Sequence, residues 1–265
     1  MRRHGVVDAA RGLAIAQMVA YHLCYDLNHF SWIRVEMLVD PRWIAWRTAI
    51  VAQFLFLAGV SLALRPDSLV PGAAARFWRR WGQIAACAAA VSLASAWLFG
   101  ARWIWFGVLH FTALAQLLLR PLLARNAAWW VGVRVSVRRP VHAPAIALAL
   151  AGIGAVALGT TVHAAAFAPD ALSWIGFAPV KPATEDFVPV LPWLGPVLLG
   201  AAAARWWRQS TGAPASALRR YRAGSSRLLG ALEAAGRWPL TIYMVHQPLV
   251  FGALALAAAM APHGA

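Results

Sequence analysis

DAARGLAIAQMVAYHLCYDLNH, residues 8–29, is long and apolar enough to cross a bilayer, yet Asp8, Arg11, His22, Asp26 and His29 punctuate it. A helix turns about 100° per residue, which puts Arg11, His22 and His29 within roughly 20° of one line and Asp8 and Asp26 about 60° away. Every charged or imidazole group of the segment therefore shares one stripe, while Leu13, Ala16, Val19, Ala20 and Leu23 clothe the rest. Ionisable side chains at membrane depth cost several kcal/mol unless they face a protein interior or a watery cavity. A stripe of them points to catalysis, proton relay or a polar ladder that ties helices together.

The rest of the chain fits a membrane reading. Its 265 residues are 61% hydrophobic and only 12% charged, with mean hydropathy +0.61. Soluble domains carry about 25% charged residues. A net charge of +15 would suggest nucleic acid in a soluble protein. Here the arginines cluster between apolar segments, where membrane orientation explains them, so no nucleic-acid partner is expected. Cys24 and Cys87 both lie inside apolar segments and suggest neither a disulfide framework nor a metal site. MRRHGVVD is too short and too polar to precede a signal-peptide cleavage site, so the first helix is expected to be retained.

A bilayer core takes about 20 apolar residues per helix. Seven stretches qualify, roughly 8–30, 43–64, 80–99, 103–124, 143–162, 189–207 and 237–261. The expected fold is all-α, a polytopic transmembrane bundle forming one integral membrane domain over residues 1–265. Arg65, Arg76, Arg79 and Arg80 follow the second stretch; Arg125, Arg134, Arg138 and Arg139 the fourth; Arg208, Arg219, Arg220, Arg222 and Arg227 the sixth. The alternating loops are poor in arginine, and the longest holds Asp170, Glu185 and Asp186. The positive-inside rule then puts the N-terminus in the cytoplasm and the C-terminus outside. The fifth stretch is the weakest, because WWVGVRVSVRRP (129–140) before it reads equally as interfacial. Trp32, Trp43, Trp46, Trp97, Trp103, Trp105 and Trp193 gather at expected outer helix ends as an aromatic belt, and Trp206 and Trp207 between Arg205 and Arg208 form an inner anchor. No internal repeat is visible, which gives no support to an inverted-repeat transporter.

Other residues carry candidate chemistry. Asp26 lies one turn from both His22 and His29, where a carboxylate can orient an imidazole that serves as general base. His110 falls in the fourth stretch, and Tyr243 and His246 fall almost one turn apart in the last; each is either an interhelical hydrogen-bond partner or a substrate ligand. Glu185 and Asp186 at the outer mouth of the sixth stretch either meet a cationic or polyhydroxyl substrate or cap a helix. No P-loop, GxSxG elbow, HExxH or CxxC appears, which argues against a nucleotide-driven pump and a zinc protease.

Five blocks, DAARGLAIAQMVAYHLCYDL (8–27), FLFLAGVSLAL (54–64), WFGVLHFTALAQ (105–116), EDFVPVLPWLGPVLLG (185–200) and GRWPLTIYMVHQPL (236–249), resemble the bacterial branch of the heparan-α-glucosaminide N-acetyltransferase catalytic-domain family in order and spacing. The ten residues between Arg11 and His22 are also similar to the spacing of an essential pair in the integral-membrane acyltransferase family three. The resemblance implies transfer of an acyl group, acetyl first, from cytoplasmic acetyl-CoA or another acyl-CoA to a sugar amine or hydroxyl at the outer face. No metal is expected, since the sequence holds neither HExxH nor CxxC. NHFSW (28–32) resembles the segment that bears the eukaryotic enzyme's proposed active-site histidine, which falls on His29, while His22 falls where that enzyme has asparagine. The chain is much shorter than the eukaryotic enzyme and lacks its extracytoplasmic N-terminal domain, so heparan itself is not the expected acceptor.

The expected catalytic residues are therefore His22, His29 and Asp26. Arg11, Arg76, Arg79 and Arg80 are expected to meet the phosphates of the donor, and His110, Glu185, Asp186, Tyr243 and His246 the acceptor. The partners are the lipid bilayer and a sugar or glycan, and the place is the bacterial inner (cytoplasmic) membrane. The rival class is a proton-coupled small-molecule transporter that uses the same His/Asp stripe. Reporter fusions at Gly72, Lys181 and Gly264 are expected to read inside, outside and outside; a cytoplasmic signal at Lys181 would reverse the second half.

Overall fold

The computed structural model describes residues 5–64, 72–123, 143–211 and 226–260. They contain nine α-helices: α1 (Gly5–His29), α2 (Pro41–Ala63), α3 (Ala73–Phe99), α4 (Val108–Leu123), α5 (Ala143–Thr161), α6 (Asp170–Ser173), α7 (Val190–Thr211), α8 (Arg227–Gly236) and α9 (Pro239–Met260). A helix occupies each of the seven expected stretches, and the short α6 and α8 are additional. Among the described residues the one β feature is an isolated parallel bridge between Phe106 and Phe187.

Two boundaries differ from expectation for a physical reason. α3 begins at Ala73, not near residue 80, because Ala and Arg are strong helix formers whether or not they suit a membrane. Arg76, Arg79 and Arg80 therefore stand on its first two turns and not in a loop. α4 begins at Val108, not at 103: the Glu185 and Val188 N–H groups donate to Arg102 and Phe106 carbonyls, which holds the backbone around residues 103–107 extended. Arg65, Arg125, Arg134, Arg138, Arg139, Arg219, Arg220 and Arg222, the 129–140 interfacial candidate and Gly264 lie outside the described residues.

Among the described residues four helical spans are long and apolar enough to cross a membrane: Pro41–Ala63, Ala73–Arg102, Pro144–Thr161 and Pro239–Met260. The polar stripe dilutes α1, and α4 has only 16 residues.

The chain divides into two compact units, residues 1–54 with 215–265, and residues 55–214. In the first unit α1 packs against α8 and α9. A Cβ on Gly12 would collide with the Leu232 backbone, and one on Gly236 with the Asp8 carbonyl, so only glycine permits this approach of α1 to α8. Arg11 fastens the same contact. Its Nη1 meets Asp8 Oδ1 at 2.6 Å and donates to the Gly236 carbonyl at 3.1 Å, supplying a cation where the end of α8 leaves carbonyls without helical partners. Farther along, Met18, Tyr21, Met37 and Ile50 form a buried apolar cluster, joined by Trp43, Trp46 and Tyr243. Trp43 and Trp46 stack edge-on to Tyr21 at 6.0 and 5.5 Å, so these two serve internal packing as well as any aromatic belt.

In the second unit α5 packs along α7, and α3 along α4. Arg208 Nη1 donates to the Ala63 carbonyl at 3.3 Å, again a guanidinium at the end of a helix.

Gly12→Ala is expected to lower the unfolding temperature in detergent, because overpacking costs about 1–3 kcal/mol. Gly230→Ala, on the same α8 but with open space around its Cβ, should be neutral or raise it. Equal behaviour of the two variants in a thermal unfolding series would show that the α1–α8 approach does not need glycine.

Candidate active site

The stripe read on α1 faces α9, and the two helices meet through polar side chains. His22 Nδ1 lies 2.7 Å from His246 Nε2, with the rings meeting edge to edge, 4.9 Å between centroids and 22° between planes. The other nitrogen of His246, Nδ1, faces the carbonyl oxygens of Tyr243 at 2.8 Å and Ile242 at 3.1 Å. His246 is buried and His22 half-buried. One residue along, Gln247 Nε2 donates to Asp26 Oδ1 at 2.8 Å. Asp26 is only 1% exposed, and its Oδ2 has no hydrogen-bond partner among the described residues.

Two contacts bear on the expected roles of Asp26 and His246. Asp26 bonds to Gln247 and not to a histidine; the group in contact with the His22 ring is His246. His246 in turn has both ring nitrogens engaged within the protein, so it has none left for a substrate. Tyr243 contributes its carbonyl to His246, and its ring lies 6.0 Å from that imidazole.

His29 ends α1 and is exposed. It meets Phe30 edge-on at 5.2 Å and Phe251 of α9 at 5.4 Å. With Tyr25, Asn28, Val35, Glu36, Met37 and Leu38 it lines a cavity of about 220 Å3. The cavity is smaller than the roughly 300–1,000 Å3 that enclose drug-sized ligands, which suits one small polar ring or a chain end. Its wall exists because the chain doubles back after α1: the Val35 N–H donates to Asn28 Oδ1 at 3.0 Å. Tyr25, Asn28 and Glu36 were not singled out from the sequence, since no periodicity marks a loop that folds onto its own helix.

The second unit gathers the other candidates. Ser92 Oγ donates to the Ile104 carbonyl at 2.6 Å and contacts His110 Nε2 at 3.0 Å, while the Gly107 N–H donates to His110 Nδ1 at 3.2 Å. The hydroxyl proton is committed to the carbonyl, so Nε2 donates and Nδ1 accepts, and His110 holds the turn before α4. Asp186 Oδ2 accepts from the Val108 N–H at 2.8 Å, capping α4 and not the helix that follows Asp186 in sequence. Glu185 pairs with Arg102 at 3.1 Å. On the first turns of α3, Arg76 and Arg79 are exposed, and Arg80 Nη1 donates to Gln83 at 3.3 Å. Arg120 of α4 lies over Phe77 and Trp78, at 4.3 and 5.1 Å from the ring centroids. Among the described residues no group of three or more His, Cys, Asp or Glu is placed to hold a metal ion.

An imidazole with a fixed partner inside an apolar helix pair, one turn and more below an open polar cavity, is suited to moving a proton or an acyl group. No curated protein and no solved structure matches the chain. The model of the family described as heparan-alpha-glucosaminide N-acetyltransferase, catalytic, matches residues 3–248 of the 265. With four helices among the described residues able to span a bilayer and this match over nearly its whole length, the chain is an integral membrane protein that belongs to the heparan-α-glucosaminide N-acetyltransferase catalytic family.

Proposed function

We propose that the protein is a seven-span acyltransferase of the bacterial inner membrane, with its N-terminus inside and C-terminus outside. It moves an acyl group, acetyl in the first instance, from cytoplasmic acyl-CoA to an amine or hydroxyl of a sugar at the outer face. The observation that carries this reading is the imidazole pair His22–His246 within a chain of an acetyltransferase family. Four spans with clear apolar character, and the basic residues at α3 and α7, support the topology.

His22 is the base in this reading. It takes the proton of the acceptor N–H or O–H as that atom attacks the thioester carbonyl carbon. The new C–N or C–O bond forms, the C–S bond breaks, and the CoA thiolate collects the proton from His22. Attack by His22 itself, through an acyl-imidazole, is the other route, and protein-bound label distinguishes it. His29, Tyr25, Asn28 and Glu36 receive the acceptor in the cavity at the end of α1. Asp26 stays buried beside Gln247 and supports the stripe. Glu185, Asp186 and His110 act by holding the segments around α4.

The donor side is assigned to basic residues that the topology puts in the cytoplasm. Arg76, Arg79 and Arg80 offer guanidinium groups to the CoA phosphates. Arg11 serves mainly to fasten α1 to α8.

Purified protein with radiolabelled acetyl-CoA and an amino-sugar acceptor is expected to yield labelled sugar, and His22→Ala to lower kcat by about 10²–10⁴-fold with membrane insertion intact. Proton-driven uptake of the sugar into proteoliposomes without label transfer would instead establish the transporter. Arg79→Glu is expected to raise KM for acetyl-CoA about tenfold with little change in kcat, the effect of one lost charged contact. An unchanged KM would remove the first turns of α3 from the donor site.

A further inference from the structure

We infer that His246 is a positioning residue that fixes the tautomer of His22, so that His22 presents a bare Nε2 to the reaction. The inference rests on the acyl-transfer reading for its purpose, and on the hydrogen-bond network for its geometry.

The argument starts from the carbonyls of α9. A carbonyl oxygen only accepts, and two of them, Tyr243 at 2.8 Å and Ile242 at 3.1 Å, face His246 Nδ1. That nitrogen therefore carries a proton. In a neutral ring the other nitrogen, Nε2, is then a lone pair and an acceptor. It lies 2.7 Å from His22 Nδ1, which must supply the hydrogen between them. With Nδ1 protonated, the lone pair of a neutral His22 stands on Nε2. The chain of donors runs one way, from His22 through His246 to the backbone of α9.

The consequence is chemical. In the Ser-His-Asp arrangement a buried acceptor at Nδ1 keeps the proton off the nitrogen that must act as base, and loss of the correct tautomer is costly even with geometry intact. His246 fills that acceptor place here with a neutral imidazole, and Asp26, the carboxylate nearby, is directed to Gln247 instead. A neutral acceptor also spares the apolar helix pair a fixed negative charge at the base. The two rings lie nearly in one plane, 22° between planes, and the hydrogen bond between their facing nitrogens holds the His22 ring in one orientation. His22 Nε2 thus meets the acceptor proton in one orientation and one protonation state.

The test reads the tautomer and the turnover separately. In protein labelled with 15N at histidine, two-bond 1H–15N correlations distinguish rings protonated at Nδ1 from rings protonated at Nε2, and the signals lost in His22→Asn identify that ring. The expected wild-type result is His22 protonated at Nδ1, with that signature lost in His246→Leu. A His22 ring protonated at Nε2 in the wild type would overturn the inference. In the labelled acetyl-CoA assay His246→Leu is expected to lower kcat about ten- to a hundred-fold, less than loss of the base itself, with KM for acetyl-CoA within about twofold. His246→Gln, whose amide oxygen can still accept from His22 Nδ1, is expected to recover much of that loss. Wild-type kcat in His246→Leu, or no difference between Leu and Gln, would equally overturn it. Wild-type protein that shows the Nδ1 tautomer but transfers no label would refute the acyl-transfer reading and leave the assigned hydrogen-bond chain standing.

Discussion

A polar atom between apolar helices has little water to turn to, so it must find its partner on another helix or on its own backbone. That constraint organises the first unit. Arg11 answers it with Asp8 and the end of α8, Asp26 with Gln247, and His22 with His246, whose second nitrogen is returned to the backbone. Each contact removes a cost that would otherwise expel the group from the helix pair. Together they set how α1 lies along α8 and α9, and apolar packing around Met18 and Tyr21 fills what remains. Chemistry and assembly therefore use the same side chains. A substitution on the stripe is both an active-site change and a packing change, which is why rescue by an isosteric amide says more than loss on truncation.

The second unit uses its polar groups differently. Ser92, Ser95, His110, Thr184 and Asp186 are spent on backbone groups around the start of α4 and the segment that crosses it. These are the partners an irregular backbone needs when it is held away from water. From composition alone His110 and Asp186 look as reactive as His22 and Asp26. The difference is that His110 has both ring nitrogens, and Asp186 its Oδ2, engaged with groups around the start of α4.

Long apolar runs made the helices legible, and α2 and α9 begin and end within about two residues of where hydropathy puts them. The start of α3 was hidden because hydropathy reads arginine as a boundary although arginine is a good helix former. The start of α4 was hidden because Trp103–Phe106 is apolar and yet extended, held by a segment some eighty residues later. The stripe on α1 was visible from its angular spacing. Its partners were not: 224 positions separate His22 from His246, and a single sequence carries no sign of which α9 residue stands opposite. His29 was singled out by family resemblance, while Tyr25, Asn28 and Glu36 come to it only through the fold of the loop after α1.

Only Arg237 and Trp238 separate the end of α8 at Gly236 from Pro239 at the start of α9. Proline at a first helical position starts a helix with its backbone angle already set, so this link has little slack. Because α8 is clamped to α1 by glycine contact, the rotational phase of α9 is indexed to α1 from one end, as a key is indexed by its shoulder. One residue inserted between the two helices would turn α9 by about 100° and carry His246 off the face it shares with His22. The length of this link is thus under the same constraint as the reacting groups, although no atom in it need touch a substrate. In related sequences, length variation should be scarcer here than in the loops that merely join spans.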